Sequence, residues 1–263
     1  MITDFYKYHG SGNDFIIVDD FDNKIEKSVK NIQKHINHLC NRRLGIGADG
    51  LMFLQNSKTA DFKMKFYNSD GKVGTMCGNG GRCIAAFAYM KGYAEKTMKF
   101  EAIDGIHNAE IINDEVNLKM SDIEGYKRFG NSIFLDTGSP HYVQFVKDAA
   151  SIDVIRKGRK IRHDDNINPG GTNVNFVEIQ KDALFVRTFE RGVEDETLSC
   201  GTGVVASAVA SFIRGFIKPE YKIKTLGGNL KVKFTSNAET GQIEDVWLKG
   251  PAVLVFKGML DLA

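Results

Sequence analysis

Thr75-Met76-Cys77-Gly78-Asn79-Gly80-Gly81-Arg82-Cys83 has an echo further along the chain, Leu198-Ser199-Cys200-Gly201-Thr202-Gly203, and this pair decides how the chain folds. Each copy is a cysteine, a Gly-x-Gly turn and then an apolar run, Ile84 to Met90 in one and Val204 to Ile213 in the other. Runs apolar on all sides predict buried helices. Both end in a basic-Gly-aromatic triplet, Lys91-Gly92-Tyr93 and Arg214-Gly215-Phe216, with the glycine 15 residues after the cysteine in each case. The copies are offset by 123 residues, and at that offset Phe66-Tyr67-Asn68 matches Phe189-Glu190-Arg191. An internal duplication follows, with one cysteine at a helix start in each half.

A chain of 263 residues accommodates two such halves. Its 42% hydrophobic and 26% charged residues are ordinary for a globular protein with a real core. A net charge of +2 gives no reason to expect nucleic acid or membrane as partner. No apolar run approaches the roughly 18 residues of a membrane span, and Met1-Ile2-Thr3-Asp4 lacks the pattern of a signal peptide. Four cysteines (Cys40, Cys77, Cys83 and Cys200) are too few for a disulfide scaffold, so a reduced cytoplasm is the expected setting. Neither a CxxC pair nor a metal-ligand spacing is present, and no cofactor motif either; the Gly45-Ile46-Gly47 loop leads into a strand, not a helix.

Taken in order, Phe5 to His9, the Gly10-Ser11-Gly12-Asn13-Asp14 turn and Phe15 to Val18 read as strand, turn, strand. Asn13 either offers its amide to a ligand or simply fills a hairpin turn. Ile25, Val29, Ile32, Ile36 and Leu39 predict one amphipathic helix over residues 24–44. Short strands with glycine and Asn/Asp turns fill the remainder of the first half, as a curved sheet or partial barrel around a buried helix. The second half restarts at Ile133, passes Asp136 to His141, and repeats the pattern, with His141 at a strand entry like that of Asn13. The boundary falls near residues 121–131. The expected fold class is therefore α+β, with two pseudo-symmetric domains each wrapped round a central helix.

A thiol at a helix N-terminus meets the positive end of the helix dipole, which lowers a cysteine pKa from ~8.5 into roughly 3.5–7.5. The N–H groups there also suit a carboxylate. Two such thiols suit inversion at carbon: a thiolate takes a proton from one face and a thiol delivers another to the opposite face. A lone Cys-Gly-x-Gly more often marks a small buried hydrophobe; its duplication favours chemistry. Cys40 and Cys83 lack this setting and read as structural.

These motifs resemble those of the diaminopimelate epimerase family. Met76 to Cys83 and Glu190-Arg191-Gly192 through Gly203 match its two signatures. Gly10 to Phe15, Gly47 to Gly50, Phe66 to Gly71 and Gly250-Pro251-Ala252 match as well. The resemblance implies cofactor-independent interconversion of LL- and meso-diaminopimelate on the route to lysine and peptidoglycan, by a homodimer. It implies domains of 1–122 with a returning strand 252–263, and 123–251, and places Phe256 at the dimer contact. Cys77 and Cys200 would be the acid/base pair, assisted by His141 and Glu190. Asn13, Asn68, Gly78, Asn79, Ser139, Asn173, Arg191, Gly201 and Thr202 would bind substrate. Ser139 stands where some members have Asn, and Gly50 where some have Gln. The Val193 to Glu196 segment is one residue longer than the common pattern, which leaves its path open. Proline-type racemases of this fold carry His two residues after the first cysteine, where this chain has Asn79. A phenazine-type isomerase lacks the cysteine pair, and a redox-responsive binding protein with a Cys77–Cys200 disulfide is a further alternative.

Overall fold

The computed structural model describes residues 2–237 and 239–262. The chain forms two compact units, Met1–Leu118 with Pro251–Ala263, and Lys119–Gly250. The first contains β1 (Ile2–Gly10), β2 (Asn13–Asp19), α1 (Ile25–Ser28), α2 (Ile32–Cys40), β3 (Gly50–Gln55), β4 (Phe62–Asn68), α3 (Gly78–Lys91), β5 (Thr97–Ala102), β6 (Gly105–Ile112) and β7 (Glu115–Lys119), plus the C-terminal strand Val253–Asp261. The C-terminal strand pairs antiparallel with β1, in register Ile2 to Asp261. From β1 the order runs through β2, β3, β4, β5, β6 and β7, with β2–β3 and β4–β5 parallel and the other pairs antiparallel.

The second unit contains β8 (Tyr126–Phe129), β9 (Ser132–Asp136), β10 (Pro140–Phe145), α4 (Val154–Arg162), β11 (Asn173–Ile179), β12 (Leu184–Glu190), β13 (Asp195–Thr197), α5 (Gly201–Ile213), β14 (Tyr221–Thr225), β15 (Gly228–Ser236) and β16 (Ile243–Gly250). Its order is β8, β9, β10, β11, β12, β14, β15, β16, with β10–β11 and β12–β14 parallel and the rest antiparallel. The two units thus share one sequence of pairings, strand for strand. In this correspondence β8 and the C-terminal strand hold the same place. The short β13 folds back on β12 outside that pattern. The fold is α+β, as expected.

Each sheet curves round one helix. α5 touches β9, β10, β11, β12, β14, β15 and β16, and α3 touches β1, β2, β3 and β6. Ile16 and Val18 of β2 face away from α3, into a cluster with Phe5, Leu51, Phe53, Ile36, Cys40 and Leu260. Phe15 to Val18 are all essentially inaccessible. Burial on both faces explains why β2 is an unbroken apolar run and not an alternating one. In the second unit α4 covers the outer face, packing on Val174, Phe176 and Phe189. Both central helices stop the same way. Gly92 and Gly215 adopt left-handed φ of 74° and 90°. The next N–H reaches back five residues, Tyr93 to Ala88 and Phe216 to Ser211, each at 3.0 Å. The basic-Gly-aromatic triplets are therefore matching helix stops.

The single helix expected over residues 24–44 is instead two, α1 and α2. Val29 is extended and Asn31 left-handed with φ of 54°, so the chain turns between them. Val29 still enters the core, which keeps the apolar spacing intact across the break. Two strands absent from the sequence reading, β8 and β13, carry no apolar alternation to betray them; β8 is mostly exposed, and β13 is only three residues long and mostly half-buried.

A charged side chain lies inside the first unit. Arg82, in α3, is fully buried. It donates to Gly78 O at 3.1 Å, Asn79 Oδ1 at 3.0 Å, Ser11 Oγ at 3.3 Å and Pro251 O at 3.3 Å. One guanidinium thereby ties the β1–β2 turn, the start of α3 and the entry to the C-terminal strand. In the second unit His141 of β10 is likewise fully buried. Burial, with a smaller push from the Arg191 charge, lowers its pKa from 6.5 to about 3. Among the described residues no helix is long and apolar enough to cross a membrane.

Arg82→Ala should destabilise the protein by about 3 kcal/mol in urea unfolding, because it leaves a cavity and several buried acceptors without a donor. His141 is neutral when folded and binds a proton near pH 6.5 when unfolded. The unfolded state therefore holds more protons between pH 6.5 and about 3, so stability from this group is complete above pH 6.5 and declines as pH falls. Denaturation midpoints measured from pH 7 to pH 4 should fall less steeply in His141→Gln than in the parent.

Candidate active site

Cys77 is the N-cap of α3 and Cys200 the N-cap of α5, both with extended backbone. The two sulfurs are held differently. Gly80 N–H donates to Cys77 Sγ at 3.2 Å. Cys200 Sγ lies 3.4 Å from the Thr202 hydroxyl. Cys200 is buried and Cys77 half-buried. Helix geometry directs the first N–H groups of each helix, those of Gly78 and Asn79 and of Gly201 and Thr202, out of the helix end, an arrangement that receives carboxylates. Cys40 and Cys83 are enclosed in the core. Burial first of all pushes the Cys40 thiol up to about 12 and raises that of Cys83 further, so both stay protonated and inert.

In the first unit a directed chain of amides orients the site. Arg82 can only donate, so Asn79 turns its Oδ1 towards it. The Asn79 amide nitrogen then faces Asn13 Oδ1 at 3.4 Å, and Asn13 Nδ2 donates to Asp49 Oδ2 at 2.6 Å. Asp49 can only accept, so both ends of the chain fix its direction. Arg42 holds Asp49 at 2.8 Å and forks onto both oxygens of Asp14 at 3.1 and 2.6 Å. Burial would raise the Asp14 carboxyl, but hydrogen bonds from Arg42 and Lys7 outweigh it and hold the pKa at about 2. Asn68 closes β4 and is exposed. Its main chain is pinned by the following turn, through Lys72 O at 2.9 Å and Gly71 N at 2.8 Å. Cys77, Asn79 and Asn13 are thus drawn together, while Asn68 is set by its own turn.

In the second unit, Asn173 at the start of β11 donates to Ser139 Oγ at 2.8 Å and Pro140 O at 3.0 Å, and accepts from Arg191 N at 2.8 Å. The Arg191 guanidinium reaches Gly171 O at 3.5 Å. Glu190, at the end of β12, accepts from Thr197 Oγ1 at 3.0 Å. His141 Nε2 is 2.9 Å from Thr202 Oγ1, and Thr137 Oγ1 donates to Thr202 O at 3.0 Å. The structure therefore gathers Ser139, Asn173 and Arg191 into one group and His141, Thr202 and Cys200 into another.

The three departures find physical accounts. Ser139 uses its oxygen to seat Asn173. A Cβ at Gly50 would stand 2.4 Å from the Phe66 ring and 2.5 Å from Tyr67 O, so a longer side chain has no room there. The longer loop turns at Gly192 and Glu194, both at positive φ, and β13 then pairs back on β12. Arg162 to Glu194 at 2.9 Å and a forked Arg187–Glu196 pair at 2.6 and 2.7 Å fasten it. Sequence reasoning missed Arg82, Asp49 and Asn175. Asn175 had a signal: it lies two residues after Asn173 on a strand, hence on the same face.

Among the described residues no cluster of three or more His, Cys, Asp or Glu side chains stands together as a metal site. The family model described as diaminopimelate epimerase matches residues 5–124 and 133–255. A diaminopimelate epimerase of Flavobacterium psychrophilum is 47% identical, over 96% of this chain and 98% of that protein. One from Chlorobaculum tepidum is 44% identical, over 96% and 99%. Among solved structures, a phenazine biosynthesis protein of the PhzF family from Bacillus anthracis superposes with TM-score 0.74 at 16% identity, over 99% of both chains. A hydroxyproline epimerase from Agrobacterium vitis gives 0.68 at 14% identity, over 98% of this chain and 92% of that one. These two likenesses concern the fold alone. With two cysteine-capped helices in duplicated units and relatives matched over nearly their whole length, the chain belongs to the diaminopimelate epimerase family.

Proposed function

We propose that this protein interconverts LL- and meso-diaminopimelate by proton transfer between two thiols, without a cofactor, on the route to lysine and peptidoglycan precursors in the cytoplasm. The observation that carries the reading is the pair of cysteine N-caps, one on the central helix of each unit. In each direction one sulfur, as thiolate, takes the α-proton, and the other, as thiol, gives its proton to the opposite face of the same carbon. The C–H bonding pair passes to the carbanion and back into the new C–H bond, so the two sulfurs exchange protonation states in one turnover. Charge on the intermediate spreads into the α-carboxylate. The N–H groups at the helix starts suit that carboxylate, and a well-placed donor of this kind is worth about 2.7–4 kcal/mol.

The remaining side chains divide the work. His141 acts on the thiol system through Thr202, and Glu190 serves as an acceptor beside Arg191. Arg191 is suited to a forked grip on the distal carboxylate, with Asn13, Asn68, Asn79, Ser139 and Asn173 placing the polar ends of the substrate. The working form is a homodimer formed through the C-terminal strand, where Val253, Leu254, Val255, Phe256 and Met259 are all exposed apolar residues.

Proton NMR with LL-diaminopimelate in D2O, no pyridoxal phosphate added, should show α-deuteration and the meso isomer. Cys77→Ala and Cys200→Ala should each lower the rate by about 10²–10⁴-fold; a folded, reduced protein without exchange would refute the reading. Light scattering should give about twice the 29.3 kDa chain mass, and Phe256→Glu should shift the protein towards monomer.

A further inference from the structure

Asn175, two residues along β11 from Asn173, is fully buried. Its amide nitrogen lies 3.1 Å from His141 Nδ1 and 3.4 Å from the carbonyl oxygen of Tyr142. A backbone carbonyl can only accept, so the atom facing it is the NH2 and not the oxygen. The other end agrees: Asn175 Oδ1 takes the Thr188 hydroxyl at 2.9 Å. With its orientation settled, the amide donates to His141 Nδ1. That nitrogen must then present its lone pair, so the imidazole carries its proton on Nε2. Nε2 faces Thr202 Oγ1 at 2.9 Å. A hydroxyl oxygen that accepts from Nε2–H keeps its own proton for another partner, and Cys200 Sγ is 3.4 Å away. Gly203 makes room for the assembly. A Cβ there would come within 2.4 Å of Asn175 Oδ1 and 3.3 Å of His141 Cε1.

We propose that Asn175 is a positioning residue: by fixing the His141 tautomer, it directs the Thr202 hydroxyl proton onto the Cys200 sulfur and so favours the thiolate there at rest. The chain runs one way, from Asn175 through His141 and Thr202 to Cys200. The neutral state of His141 is part of the device, since an imidazolium would have no lone pair on Nδ1 for Asn175. Arg191, whose charge acts on His141, works in the same sense, against protonation. In the first unit a backbone group acts on the cysteine: Gly80 N–H donates to the sulfur directly. The thiol of Cys200 is therefore tuned through a histidine tautomer, and that of Cys77 takes a main-chain donor. This inference rests on the assignment of Cys200 as one of the two proton carriers, but its test needs no turnover.

Long-range ¹⁵N–¹H correlation NMR of protein labelled at histidine, with His141→Gln to assign the signal among six histidines, reads the tautomer in the unaltered chain. The expected result is a neutral ring with its proton on Nε2. A proton on Nδ1, or an imidazolium at pH 7, overturns the proposal. In Asn175→Asp the carboxylate can only accept, so the proton should move to Nδ1. The second readout is the iodoacetamide alkylation rate of Cys200 in a Cys77→Ser background, followed by mass spectrometry. Loss of one hydrogen bond to a charged sulfur should slow alkylation at pH 7 by roughly tenfold in Thr202→Val, and Thr202→Ser should restore the rate. An unchanged rate in Thr202→Val overturns the proposal. If diaminopimelate shows no exchange while tautomer and alkylation behave as stated, the epimerase reading fails and the relay stands.

Discussion

The first unit depends on a positive charge placed where charge is costly. Desolvation of a guanidinium is tolerated only if its donors are met, and Arg82 meets them with two main-chain carbonyls, a hydroxyl and an amide from three separate stretches of chain. That requirement does more than stabilise. It dictates which way Asn79 faces, Asn79 dictates Asn13, and Asn13 is caught by Asp49. A core residue thus sets the orientation of the polar groups beside a cysteine. The field of a cation so near also suits an anionic sulfur, since its influence in a dry interior is greater than in water.

The second unit reaches a comparable end with other parts. Its pairings repeat those of the first strand for strand, and its central helix starts and stops by the same devices. Yet where one half orients its amides from a buried arginine, the other orders a histidine with an asparagine and a carbonyl. Duplication preserved the frame and left the polar lining free to diverge. Such divergence suits the proposed two-thiol reaction, in which the two proton carriers need not be equal at rest.

What could be read from the residues follows from the physics of each element. The two central helices were plain because apolar runs bounded by Cys-Gly and Lys/Arg-Gly-aromatic leave little choice. Cys77 and Cys200 stand at the starts of those helices, where the sequence places them. The break between α1 and α2 was hidden, since Val29 keeps the helical spacing while the turn falls on Asn31. β8 was hidden because an exposed strand needs no alternation, and β13 because three polar residues are too few to show one. Arg82 escaped notice because charge is ordinarily a mark of the surface. Asn175 did not have to: the Asn-x-Asn alternation at 173 and 175 places both on one face.

The strand that closes the first unit, Val253–Asp261, follows every strand of the second unit in the chain, and it occupies the position that in the second unit belongs to β8, the strand just before its partner. The earlier half therefore waits for the later one. On a ribosome, the second unit has all its strands as soon as Gly250 emerges, whereas β1 has stood without its outer neighbour since synthesis began. The apolar residues that Leu260 and Leu262 cover stay open until those two residues leave the tunnel. Folding order is then the reverse of synthesis order for the two halves, and a nascent chain arrested before residue 251 would expose an unsatisfied sheet edge and an Arg82 still lacking its Pro251 acceptor.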